Sequence, residues 1–120
     1  MCAIILYIIY LEENVLAEVR TRDDIEEKYK WKLEDIFENE ELFNEGITKL
    51  REKAHTFTAM RGKIGESANS LLASLRLSDS IGELLLSLAA YACMHRDEDN
   101  EVSKYRAMAD SIGDLESEIM

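Results

Sequence analysis

Not one of the 120 residues is proline. Proline both fixes φ and removes a backbone donor, so its absence leaves the chain free to run in long helices. Leucine, alanine, glutamate and lysine, all strong helix formers, are plentiful instead. Apolar side chains recur at helical spacing in four places. Phe43, Ile47, Leu50, Ala54 and Phe57 follow one another by 4, 3, 4 and 3 residues. Asn39 is placed to cap that helix, Glu40 and Glu41 sit in its first turn, and it stops near Arg61 and Gly62. Gly62 and Gly65 bracket a turn. Ala68, Leu71, Leu72 and Leu75 predict a short second helix. A third, opened by a Ser80-x-x-Glu83 capping box, carries Ile81, Leu84, Leu85, Leu88, Tyr91 and Ala92. The polar run from His95 to Asn100 ends it, and Asp99 or Asn100 is placed to cap a fourth with Val102, Tyr105, Ala109, Ile112, Leu115 and Ile119. Gly46, Gly82 and Gly113 fall inside these patterns, each at a cost of about 1 kcal/mol against alanine. The expected fold is all-α, an antiparallel bundle or array of about four helices after an irregular N-terminal segment.

At this length the chain is most simply one domain with a modest core. Its net charge of -11 is spread along the whole sequence. Such a surface repels phosphate backbones and anionic lipid, so neither nucleic acid nor membrane is an expected partner. Residues 3–11 (AIILYIIYL) form an unbroken apolar run, short of the roughly 20 residues a spanning helix needs. No Lys or Arg precedes the run and Glu12 and Glu13 follow it, which also makes it a poor secretory signal. Its composition suits a helix or a strand. Cys2 and Cys93 lie far apart with no CxxC spacing and read as free thiols in a reducing cytoplasm.

The chemistry-bearing residues are sparse. A zinc peptidase site needs two histidines one helical turn apart with a glutamate beside the first. This chain has two histidines, His55 and His95, in separate helices. His95 reads as a helix-end residue beside the negative end of the dipole. The acidic run at 97–101 resembles a calcium loop, but the sixth and twelfth positions, which require glycine and glutamate, are Val102 and Met108. It reads as a solvated turn that caps the next helix. Residues 62–67 (GKIGES) fit neither phosphate-loop pattern, and Glu66 would repel an anion, so they read as a turn. Tyr29, Trp31 and Phe37 read as aromatic anchors holding an irregular segment to the bundle rather than as a ligand site.

Tyr29-x-Trp31-x-Leu33-x-Asp35-Ile36-Phe37 resembles the opening signature of the oligoendopeptidase F family of zinc peptidases. The likeness continues through Gly62-Lys63-Ile64-Gly65-Glu66-Ser67, Tyr91-Ala92 with Met94, Asp97-Glu98-Asp99 and Ser103-Lys104-Tyr105. Glu26 and Glu38 depart from it, because family members commonly carry proline near those positions. The resemblance implies an N-terminal helical domain over residues 15–120, preceded by an unmatched apolar extension at 1–14. Of its signature residues, Tyr29, Trp31, Leu33, Asp35, Ile36, Phe37, Gly62, Gly65, Tyr91 and Tyr105 are expected to be structural.

The same resemblance places the family's H-E-x-x-H helix and third zinc ligand outside these 120 residues. No catalytic residue, metal ligand or cofactor is therefore expected in this chain, which reads as a truncated piece inactive alone, with zinc belonging to the full-length family. The implied role is a scaffold that helps wall a channel admitting oligopeptides, where Asp97, Glu98 and Asp99 are candidates to meet a peptide amine. The alternative is a stand-alone helical interaction or self-association module. Expected partners are the missing catalytic domain or a second copy, with oligopeptides only in the full-length context. The apolar face left open for such a partner is expected at Leu84, Leu85, Leu88, Ile112 and Leu115.

Overall fold

In the computed structural model, which describes residues 21–119, the first long helix begins where Asn39 turns the backbone. Its Oδ1 accepts from the Leu42 N–H at 2.9 Å, satisfying a donor the helix itself cannot, and Glu40 and Glu41 follow in the first turn. This helix, α1, spans Glu40–Ala59. It buries Phe43, Gly46 and Leu50 on one face. Past its end the chain reverses through Gly62, whose φ of 82° lies in the left-handed region that glycine enters without strain.

A reciprocal cap opens the next helix. Ser67 Oγ accepts from the Ser70 N–H at 3.1 Å and Ser70 Oγ accepts from the Ser67 N–H at 2.9 Å. The helix that follows, α2, runs unbroken over Ala68–Glu98. The expected second and third helices are therefore one, and the described residues hold three long helices rather than four. Nothing between Leu75 and Ser80 stops a helix, since Arg76, Leu77, Ser78 and Asp79 all tolerate its interior. Ser80 does not cap. Its hydroxyl accepts instead from Lys53 Nζ of α1 at 2.5 Å. The last helix, α3, spans Ser103–Ile119. It starts later than Asp99 or Asn100 would set it, because Asp99 closes α2 and its Oδ1 accepts from the Glu101 N–H within the turn.

Residue pairings give the directions. Phe43 meets Tyr91 while Lys53 meets Ser80, so α1 and α2 are antiparallel. His95 stacks on Tyr105 while Leu85 shares a groove with Glu118 and Ile119, so α3 is antiparallel to α2 as well. The central helix thus carries both others. Its core tier is Phe43 and Leu50 from α1, Ile81, Leu88, Tyr91 and Ala92 from α2, and Ala109, Ile112 and Leu115 from α3, with Leu33 added from the segment before α1. An 18-residue stretch of α2 reaches a mean hydropathy of 1.2, enough by length and composition to cross a membrane, yet Leu88 and Ala92 on that helix are core residues of the bundle.

The chain divides into two units, one ending at Trp31 and one beginning at Lys32. In the first, short 3-10 turns occupy Arg22–Asp24 and Glu27–Tyr29, the former closed by Asp24 Oδ2 accepting from the Thr21 N–H at 2.9 Å and its hydroxyl at 2.8 Å. In the second, a 3-10 turn at Leu33–Asp35 precedes α1. No strand occurs among the described residues. Cys2, the apolar run at 3–11 and the extension at 1–14 lie outside them.

Candidate functional site

The acidic turn sits at the C-terminal end of α2. Asp97 is exposed and held by its neighbour, Arg96 donating from Nε and Nη2 to Asp97 Oδ1 at 3.0 and 2.9 Å. Glu98 and Asp99 are half-buried, and Asp99 is engaged within the turn. Asp97 and Asp99 are thus each tied to a near neighbour in sequence.

Beside that turn an aromatic tier ties the helix ends together. The Phe37 ring meets Phe43 and Tyr91 edge-on at 5.8 and 5.4 Å, Tyr91 meets His95 at 4.5 Å, and His95 stacks on Tyr105 at 4.7 Å. Burial, followed by the nearby Glu40 and Glu34 carboxylates, pushes the Tyr91 phenol above its ordinary range. Outside the tier, Lys104 Nζ donates to Glu40 Oε2 at 2.5 Å, and that hydrogen bond with its ionic attraction raises the Lys104 ammonium. Among the other signature residues, Leu33 is buried and Ile36 half-buried, Asp35 pairs with Lys32 at 2.7 Å, and Gly62 and Gly65 lie in the turn after α1. Tyr29 and Trp31, in the first unit, are 70 and 50% exposed.

At the opposite end of the bundle lies a feature that the helical stripes did not single out. A groove of about 680 Å³ opens where α3 ends, with Arg51, His55, Phe57 and Thr58 of α1 on one wall. Ser78, Ile81, Gly82 and Leu85 of α2 form the other wall, and Glu118 and Ile119 close one end. Arg51 and Glu118 approach to 3.7 Å across its rim. Beyond it, Leu71, Leu72, Leu75 and, further along, Leu86 stand exposed on α2. The apolar surface expected at Leu84, Leu85, Leu88, Ile112 and Leu115 is thus displaced. Leu88, Ile112 and Leu115 are core, and Leu84 and Leu85 are half-buried against it.

Two relatives match most of the chain. Over 104 residues, 87% of the chain, it is 31% identical to the oligopeptidase PepF of Bacillus subtilis (strain 168). Over 85 residues, 71% of the chain, it is 31% identical to the group B oligopeptidase PepB of Streptococcus agalactiae serotype III (strain NEM316). The chain is related to the oligoendopeptidase F family. The likeness is to a segment, for the matched stretch spans 16% of that PepF and 14% of that PepB. No family model and no solved structure matches.

The residues present do not fit the zinc that the oligoendopeptidase F resemblance implies. His55 lines the groove, while His95 stacks on Tyr105 at the other end of the bundle. The sequence contains no H-E-x-x-H, and no group of three or more His, Cys, Asp or Glu among the described residues is placed to hold an ion. The arrangement offers a packed set of helices with an open, mostly apolar groove.

Proposed function

We propose that this chain is the N-terminal helical scaffold of an oligopeptide-cleaving metalloendopeptidase of the oligoendopeptidase F family, a wall of the peptide channel that does not itself hydrolyse. The observation that carries the reading is the match itself: a stretch of relatives named oligopeptidases, about a sixth of their length, whose described residues here form three long helices with no group of side chains placed to hold a metal ion. Cleavage then belongs to the remainder of such a protein, and the chain's contribution is shape. Cys93, a free thiol, suits a cytoplasmic setting.

The exposed leucines of α2 also support the alternative of a self-associating helical module, and the two readings separate in one experiment. The chain alone and a chimera in which it replaces the matched stretch of Bacillus subtilis PepF are assayed on a fluorogenic oligopeptide. The scaffold reading expects no turnover from the chain and turnover from the chimera. Cleavage by the purified chain would refute it, as would an inactive chimera.

A further inference from the structure

Leu71, Leu75, Ser78, Gly82 and Leu86 follow one another along α2 by 4, 3, 4 and 4 residues, the spacing that keeps side chains on one helix face. All five are exposed, the leucines by 47, 54 and 71%. A Cβ added at Gly82 would meet nothing within 4 Å. Two leucines, two small residues and a third leucine make a shallow seat, wide enough at Ser78 and Gly82 for another backbone to approach closely. The seat is contiguous with the groove, which Ser78 and Gly82 also line. Only 17% of the most apolar stretch of α2 is buried, far less than a central bundle helix usually hides.

Length explains the missing cover at the N-terminal end of the stripe. At 1.5 Å per residue, α2 with 31 residues is about 46 Å long and α3 with 17 residues about 25 Å. Running antiparallel from the C-terminal end of α2, α3 therefore gives out roughly halfway, and the leucines from 71 to 75 lie beyond its reach. Glu118 and Ile119, where α3 ends, line the groove, so any polypeptide that follows leaves from the mouth of the seat.

We propose that this stripe of α2 is the docking seat for an apolar helix contributed by the segment that follows Ile119 in a full-length peptidase. The proposal rests on the scaffold reading, under which roughly five sixths of the protein lies outside this stretch. A second copy is a poorer occupant, since each chain brings a charge of -11 to the interface. A lipid surface is poorer too, since Arg76, Asp79 and Glu83 interrupt this half of α2 with charge.

The test is the double substitution Leu75→Glu with Leu86→Glu, made in the 120-residue chain and in the PepF chimera. In the chain alone both side chains already face water, so its helix content and melting temperature hold. In the chimera the same carboxylates are forced into an apolar contact, so its melting temperature drops and oligopeptide cleavage falls about tenfold or more. A doubly substituted chimera that melts and cleaves like the unsubstituted one would overturn the proposal. So would a chain dimer that the substitutions dissociate, or binding of the chain to phosphatidylcholine vesicles that they abolish. If the unsubstituted chimera neither folds nor cleaves, the scaffold reading fails first and this proposal falls with it.

Discussion

Gly46 lies against Leu88 so closely that a Cβ at position 46 would stand 3.1 Å from Leu88 Cδ2, and 3.3 Å from the Phe37 ring. Sequence alone marks this glycine as a propensity cost, but in the fold it is what lets α1 settle onto α2. Leu88 is fully buried and has nowhere to retreat. Gly46→Ala is expected to lose about 1 kcal/mol net, overpacking outweighing the gain in helix propensity. Gly113→Ala, where the added Cβ meets nothing within 4 Å, is expected to gain up to about 1 kcal/mol. Urea denaturation of the two variants measures both, and equal stabilities would rule out the close approach.

Leu86 and Leu88 are two residues apart and differ completely in surroundings, 71% exposed against 0%. Leu88→Ala empties a core site and is expected to cost about 2–5 kcal/mol. Leu86→Ala in the isolated chain is expected to stay within about 0.5 kcal/mol of the parent. Thermal melts followed by circular dichroism decide. A large loss at Leu86 would mean that the α2 stripe is already covered.

Ser80 distinguishes the capping box suggested by the sequence from the Lys53 hydrogen bond found in the fold. In a double-mutant cycle, Ser80→Ala and Lys53→Met are expected to couple, the pair losing less than the sum of the singles. Ser80→Ala and Glu83→Ala are expected to add. Ser67→Ala, by contrast, removes a real cap and is expected to cost about 1 kcal/mol. The reverse pattern of coupling would restore a helix boundary at Ser80.

Tyr91 sets an alkaline limit. Its phenol is raised by burial and by the Glu40 and Glu34 carboxylates, so the folded state holds that proton more tightly than the unfolded chain does. The resulting stability is fully present below the unfolded tyrosine value of about 10 and is lost as pH rises from there through the folded value. Denaturation midpoints measured on the alkaline side should fall with pH in the parent and less steeply in Tyr91→Phe. Identical slopes would show that Tyr91 does not carry the effect.

The helical stripe from Phe43 to Phe57 gave the position of α1 almost to the residue, because Asn39 and Gly62 are unambiguous local signals at its two ends. The same reasoning split α2, since Ser80 and Glu83 look like a capping box until Lys53 is seen to claim the serine. Leucines on several sides of α2 also hid which face is core. Periodicity ranks faces by apolar content, and only the position of α1 and α3 shows that Leu88 is inside while Leu75 is not. The groove belongs to three helices at once, so no single stretch of sequence announces it. Within α2, the spacing from Leu71 through Gly82 to Leu86 was nonetheless there to be found.

Helix α2 is the common partner, for α1 and α3 meet each other in fewer places, at the ion pairs Glu40–Lys104 and Arg51–Glu118 and along a groove lined by Phe43, Ile47, Ala107 and Met108. Each packs instead on its neighbour in sequence, across a short turn. Chains whose contacts are this local close small loops and fold on the microsecond-to-millisecond scale. The order of assembly follows as well. Neither outer helix has its main partner until α2 exists. A proline placed at Leu84, in the middle of α2, would therefore slow or abolish both steps at once, whereas one in α3 would leave the hairpin of α1 and α2 to form at its own rate.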